Sequence, residues 1–341
     1  MPKIRLAKSR DSRTRGKAKE PVRPEEVENL LQQFESRYAD FADYLLGKGY
    51  STTTVNRYTR DAMRFETWMK KENVPEDEVS YADILHYIQY KRSRVQQRTI
   101  STLVNSLKHY FNFLAGDIAR ENPTSQIIIR GVKRKHLYEI LSRKELESLY
   151  HEFKIPDKET DPDKNQNWFQ TSVLASSRNK IMLGLMIYQG LGTTELKRLT
   201  EKDLKLREGK IYVAGTRRSN ERELKLESHQ ILDLMEYSLH TRKELLTLTG
   251  KTTDLLFISA GASRNFDNTM QKLMKKLKTQ NPKITNAKQI RTSVITHWLK
   301  NHNLREVQYM AGHRFVSSTE AYLVNDLDDL QEDITKFHPI G

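Results

Sequence analysis

Three side chains near the C-terminal end of this 341-residue chain, Arg291, His313 and Tyr322, are of the types needed to open a phosphodiester, and Lys288 stands three residues before the arginine. A phenol can attack phosphorus and hold it as a covalent ester. The attack gathers negative charge on the non-bridging oxygens, so multidentate cationic donors must already point there. A guanidinium supplies a planar fork that keeps its proton. Arg291 suits that clamp. His313, directly after Gly312, can donate to the same oxygens or exchange a proton with the phenol, because imidazole titrates near neutrality. Ser317-Ser318-Thr319-Glu320 has the form of a capping box, which predicts a helix starting at Ser317 with Tyr322 in its second turn. Taken singly these residues read more plainly: Tyr322, one of 15 tyrosines, as a packed core ring, and His313 as a buried capping group.

Composition narrows the chemistry. Zero cysteines exclude disulfides, thiolate zinc sites and thiol nucleophiles. His297 and His302, five apart, lack the spacing of helix-borne zinc ligands, and a tyrosine nucleophile with cationic clamps requires no magnesium, so neither metal nor cofactor is expected. Lysine plus arginine number 58 against 44 acidic residues, a net charge of +14, which favours a polyanionic partner and nucleic acid first. No apolar run approaches the roughly 18 residues of a membrane span, and the N-terminus is too polar for a secretory signal, so a cytoplasmic, nucleoid-associated protein without membrane contact is expected.

The stretch K-Q-I-R-T-S-V-I-T-H-W-L from Lys288, followed by V-Q-Y-M-A-G-H-R-F-V-S-S-T-E-A-Y ending at Tyr322, resembles the second box of the tyrosine recombinase (phage integrase) family. The resemblance implies double-stranded DNA cut and rejoined through a phosphotyrosine at Tyr322, with Arg291 and His313 at the phosphate. It extends upstream to Tyr188-Gln189-Gly190-Leu191-Gly192-Thr193-Thr194-Glu195-Leu196, which matches the first box except that Gly192 occupies the place of its arginine. The hairpin lysine of the family is also missing: the turn reads Gly215-Thr216-Arg217-Arg218-Ser219-Asn220. Arginine is a poor proton donor but a good oxyanion clamp, so Arg217 or Arg218 is expected to restore the charge absent at Gly192. Lys288 replaces the histidine usual three residues before the second-box arginine. There it could donate to the phosphate or serve as the proton donor.

Two folded units must position these groups. A basic flexible arm, 1–24, carries nine lysines and arginines and suits phosphate contact. Residues 25–120 read as four helices. Their apolar stripes are Leu31, Phe34, Tyr38, Phe41 and Leu45, ended by Gly47 and Gly49; Val55, Tyr58, Ala62, Phe65 and Met69; a helix from Tyr81 to Arg94; and Ile100 to Leu114. Arg57, Arg60 and Arg64 lie off the second stripe, as DNA contacts would. A basic linker, 121–138, holds Arg130, Lys133, Arg134 and Lys135, which could follow a duplex backbone. In the catalytic unit, 139–325, Glu139 to His151 and Arg178 to Tyr188 read as helices. Lys210 to Ala214 and Glu223 to Leu226 form a β-hairpin with Leu255 to Ile258 as a possible third strand. The fold class is mainly α: a four-helix bundle, which the resemblance identifies with the family's SAM-like core-binding domain, and a mixed α+β catalytic domain with a small antiparallel sheet.

The tail 326–341 pairs an apolar stripe (Leu327, Leu330, Ile334, Phe337) with five acidic residues, and the family suggests that it docks on a neighbouring protomer to make a dimer or tetramer on DNA. Integration or excision of a mobile element, with DNA-bending accessory proteins as possible partners, is the expected activity. Two other readings share the residues: a recombinase-like DNA-binding regulator that no longer cuts, suggested by Gly192, and a type IB topoisomerase or telomere resolvase, which uses the same intermediate.

Overall fold

The computed structural model describes residues 32, 36–116, 121–131, 138–157, 159–216, 219–261 and 265–323. The arm 1–24, Leu31, Phe34, Lys133, Arg134, Lys135, Arg217, Arg218 and the tail 326–341 lie outside the described residues. The chain divides into two compact units, Met1–His136 and Leu137–Gly341.

The first unit is built on α1 (Ser36–Gly47), α2 (Thr52–Glu72), α3 (Tyr81–Arg92) and α4 (Gln97–Leu114). Helix α2 buries Val55, Tyr58 and Ala62 against Phe41 and Leu45 of α1, and further along buries Phe65, Trp68 and Met69 against Ile84, Leu103 and Leu107. Such an apolar stripe, rather than helix propensity, is what makes helices of this length stable. Ser80 and Asp83 close a reciprocal capping box at the start of α3. The segment expected to be an exposed connector is partly packed instead. Thr124 is fully buried, Asn122 Nδ2 donates to the Lys108 carbonyl at 2.9 Å, and Ile127 and Ile129 lie against the core.

The second unit centres on α6 (Phe169–Tyr188), which buries residues on nearly every side, among them Leu174, Met182, Leu183, Leu185 and Met186. Around it lie α5 (Arg143–His151), α7 (Thr193–Arg198), α8 (Ser228–Glu236), α9 (Arg242–Thr249), α10 (Phe266–Gln280), α11 (Ala287–Asn301) and α12 (Leu304–Ala311), then a helix over 316–323. Three antiparallel strands run in the order β1 (Leu204–Lys205), β2 (Lys210–Val213), β3 (Arg222–Lys225). Leu255 to Ile258 is not the third strand: Leu255 makes one bridge, to Thr200, while Leu256, Phe257 and Ile258 are buried core. Helix α5 starts four residues later than expected, because Ser142 caps it. Residues 138–142 run extended, tied to α11 by the Leu141 amide, which donates to Ser293 Oγ (3.0 Å), and by Gln289 Nε2, which donates to the Glu139 carbonyl (2.9 Å). Among the described residues no helix is long and apolar enough to cross a membrane.

Candidate active site

Asn286 caps α11 by accepting from the Gln289 amide at 3.1 Å, and the first turns of that helix carry Lys288 and Arg291. The Arg291 side chain is only 16% exposed. Its Nη1 donates to the Gly190 carbonyl at 2.8 Å and to Glu195 Oε2 at 2.5 Å, and its Nη2 donates to the Ala311 carbonyl at 2.6 Å. Gly190 presents that carbonyl from a left-handed turn (φ 60°), and a Cβ there would lie 2.8 Å from the Trp298 ring. The turn therefore demands glycine.

Glu195, in the first turn of α7, joins two cations. Oε2 takes Arg291 and the Gly192 amide (2.8 Å), while Oε1 sits 2.8 Å from Nη1 of Arg222, whose side chain is 0% exposed. Burial alone would raise the carboxyl pKa, but the Arg291 and Arg222 charges outweigh it and hold the group below its usual range.

Helix α12 ends at Gly312 (φ 69°), which turns the chain into His313. The hairpin meets this turn: the Asn220 amide donates to the Gly312 carbonyl at 2.9 Å, and Ser219 bridges His313. His313 Nδ1 is 2.9 Å from Thr319 Oγ1, and its ring is stacked on that of Tyr322, with centroids 5.5 Å apart and planes 18° from parallel. Burial first, then the Arg291 and Arg222 charges, push His313 down to about 4, with Glu195 opposing. At neutral pH the imidazole is therefore neutral, and does not titrate there as its type suggested. Burial raises the Tyr322 phenol, against the charge and hydrogen bond of Arg291. The helix carrying Tyr322 begins at 316, one residue before the expected cap.

Arg291, His313 and Tyr322 are thus brought together. Lys288 stands apart, exposed and with Nζ 5.9 Å from the centroid of the Tyr138 ring. Gly192 needs no special backbone: its φ is −85°, and a Cβ would meet Glu195 and Arg291 at 3.5 and 3.6 Å, ordinary contact. What the site lacks there is a guanidinium, not room for the first atom of a side chain. Arg57, Arg60, Arg64 and Arg130 are exposed in the first unit. Arg57 and Arg64 flank the buried Asp61 at 3.9 and 3.7 Å. His297, set aside as a ligand, bonds the Leu141 carbonyl at 2.8 Å. Reading the sequence missed Arg222. Its signal was present: strand alternation puts 222 and 224 on the inward face, where an arginine is out of place.

The profile of the phage integrase family matches residues 139–328, and that of the phage integrase N-terminal SAM-like domain matches 39–116. The chain is 28% identical over 307 residues to tyrosine recombinase XerD of Oceanobacillus iheyensis, covering 88% of this chain and 97% of the relative. It is 26% identical over 309 residues to tyrosine recombinase XerC of Natranaerobius thermophilus, with the same coverage. Its fold is similar to that of XerH site-specific recombinase bound to difH substrate (TM-score 0.63, 15% identity, 87% of this chain and 92% of that one). It is also similar in fold to the Tn1549 transposon integrase in complex with transposon right-end DNA (TM-score 0.54, 15% identity, 90% and 99%).

Proposed function

Because the chain belongs to the phage integrase family, and is thereby a site-specific DNA recombinase of the tyrosine type, we propose that it integrates and excises a mobile element through a 3′-phosphotyrosyl intermediate on Tyr322. The observation that carries this reading is the stacking of Tyr322 on His313 beside Arg291. The phenolic oxygen bonds to phosphorus as the bond to the 5′ oxygen breaks, and that oxygen takes up a proton, from Lys288 or water, so that strand leaves as a 5′-hydroxyl. The phenol proton passes to the neutral His313, and Arg291, aimed by Glu195 and the Ala311 carbonyl, meets the charge on the non-bridging oxygens. A 5′-hydroxyl from a second strand then attacks the phosphotyrosine and frees Tyr322, so the chemistry needs no cofactor.

In this reading Arg217 or Arg218 supplies the charge that Gly192 lacks, and Lys288 is a further donor to the phosphate or the leaving oxygen. Arg57, Arg60, Arg64, Arg130, Lys133, Arg134 and Lys135, with the basic arm, hold the duplex through its phosphates. The tail 326–341 joins protomers on DNA. One observation favours a second reading, a regulator that binds without cutting: the guanidinium missing at Gly192. A nicked duplex taken from the DNA flanking the gene separates them. The recombinase forms a denaturant-resistant protein–DNA adduct, absent in Tyr322→Phe although that variant binds the duplex as wild type does. No Tyr322-dependent adduct on any flanking site would leave the regulator.

A further inference from the structure

We propose that Arg222 is a positioning residue for strand cleavage, fastening the β-hairpin to the Gly312-His313 turn and, through Glu195, fixing the direction of Arg291. The proposal rests on the reading of Arg291, His313 and Tyr322 as the cleavage site. Arg222 opens β3 on its inward side, beside the equally buried Leu224. An inward strand position normally takes an apolar residue, and a fully buried guanidinium is costly unless its fork is used. Here it is used in part: Nε donates to the Met310 carbonyl at 2.7 Å, and Nη1 forms an ion pair, at 2.8 Å, with Oε1 of Glu195, the carboxylate whose other oxygen holds Arg291, while neither terminal nitrogen makes a hydrogen bond among the described residues. A lysine ammonium, a single point, lacks the planar fork that spans the two.

The guanidinium also fills the space over Gly312. A Cβ at that position would run into Arg222 Nη1 and lie 2.8 Å from its Cζ, so a side chain at Gly312 has to displace the Arg222 guanidinium, and the φ of 69° favours glycine there as well. Around this contact the hairpin is stitched to the end of α12 by the Asn220 amide to the Gly312 carbonyl, the Ser219–His313 bridge and the Glu223 amide to Tyr309 Oη (3.2 Å). Of these ties, only Arg222 reaches through to the carboxylate behind Arg291. The charged and titratable groups facing His313 are Arg291 from α11, Arg222 from β3, Glu195 from α7 and Tyr322 from the helix over 316–323. Burial is the main cause that keeps the imidazole neutral; removing Arg222 deletes one of the two cations that add to it and frees Glu195 to turn.

The test uses the full chain with Arg222→Gln, Arg222→Lys and, separately, Gly312→Ala. Single-turnover cleavage of the nicked flanking duplex is read beside DNA affinity, thermal melting and the NMR titration of His313 in the free protein, assigned with His313→Gln. Arg222→Gln is expected to lose about 100-fold in cleavage, the scale of a misplaced catalytic group. Its DNA affinity should hold, and the His313 midpoint should move to higher pH. Arg222→Lys, which keeps the charge but not the fork, should lose cleavage while leaving the His313 midpoint near wild type. Gly312→Ala, which pushes the guanidinium aside, should reproduce the cleavage loss and disturb the titration. It stands in if Arg222→Gln fails to fold. A folded Arg222→Gln that cleaves as wild type, an unmoved His313 titration in both Arg222→Gln and Gly312→Ala, or losses in all three variants that merely follow the folded fraction, would overturn the proposal. Should wild type give no adduct, the recombinase reading fails on its own, because the titration still reports on Arg222 without DNA.

Discussion

Replacing Glu195 by glutamine keeps the shape of the carboxylate and removes its charge, leaving two guanidiniums, 0% and 16% exposed, without their shared anion. Breaking a buried ion pair costs about 3–5 kcal/mol. The glutamine carbonyl can still accept from the Gly192 amide or one guanidinium, which restores about 1 kcal/mol, so the net loss is about 2–4 kcal/mol. For a unit of this size each kcal/mol moves melting by roughly 2–4 °C, which gives a shift of about 5–15 °C. The sign with pH is fixed. The Glu195 carboxyl is held below its usual range, so its stabilisation is complete at neutral pH and fades as pH falls through the folded-state value. Urea titrations followed by tryptophan fluorescence suit the measurement, because Trp168 and Trp298 report on this unit and Trp68 on the other. A loss below about 1 kcal/mol, or a gap between wild type and Glu195→Gln as wide at pH 3.5 as at pH 7, would refute the claim that one carboxylate holds both arginines.

Gly190→Ala must place a methyl 2.8 Å from Trp298 at a φ of 60°; a destabilisation of about 2 kcal/mol or more is expected by chemical denaturation, with Arg291 losing its carbonyl partner. Asp61→Asn should be neutral or stabilising by the same measurement, since burial pushes the Asp61 carboxyl up and its ionised form is the strained one in the folded state. The same change releases Arg57 and Arg64 from their anion, so affinity for random duplex should rise at fixed salt in a gel-shift titration. Thr319→Val removes the partner of His313 Nδ1, and cleavage should fall by roughly tenfold or more with little change in DNA affinity if His313 has the proton-transfer role proposed for it.

The helical stripes and the boxes around Arg291, His313 and Tyr322 were legible because both are patterns of spacing. Periodicity located α2 and α4, and an ordered set of residue types singled out Arg291, His313 and Tyr322, which the fold brings together. What escaped depended on partners distant in sequence. Leu255 to Ile258 is apolar enough for a strand, but burial in a helical core selects the same residues as burial in a sheet, whereas the true third strand, Leu204–Lys205, is too short to leave a pattern. Ser317 reads as a cap, yet the helix starts one residue earlier and Thr319 commits its hydroxyl to His313. Arg222 was passed over because its partners, Glu195 and Met310, lie 27 and 88 residues away in sequence.

The neutrality of His313 and the sharing of Glu195 change how strongly this pocket can attract DNA. Two guanidiniums, one carboxylate and an uncharged imidazole leave a single net positive charge among the groups in contact. Each phosphate neutralised by a cation changes the logarithmic salt slope of binding by about 0.9, so these groups can account for only about one such step. Most of the counterion release on association must therefore arise elsewhere on this +14 chain. If this pocket is the cleavage site proposed above, affinity and catalysis are separable: ionic strength should act mainly on how much DNA is held, and little on how fast a held phosphate is opened.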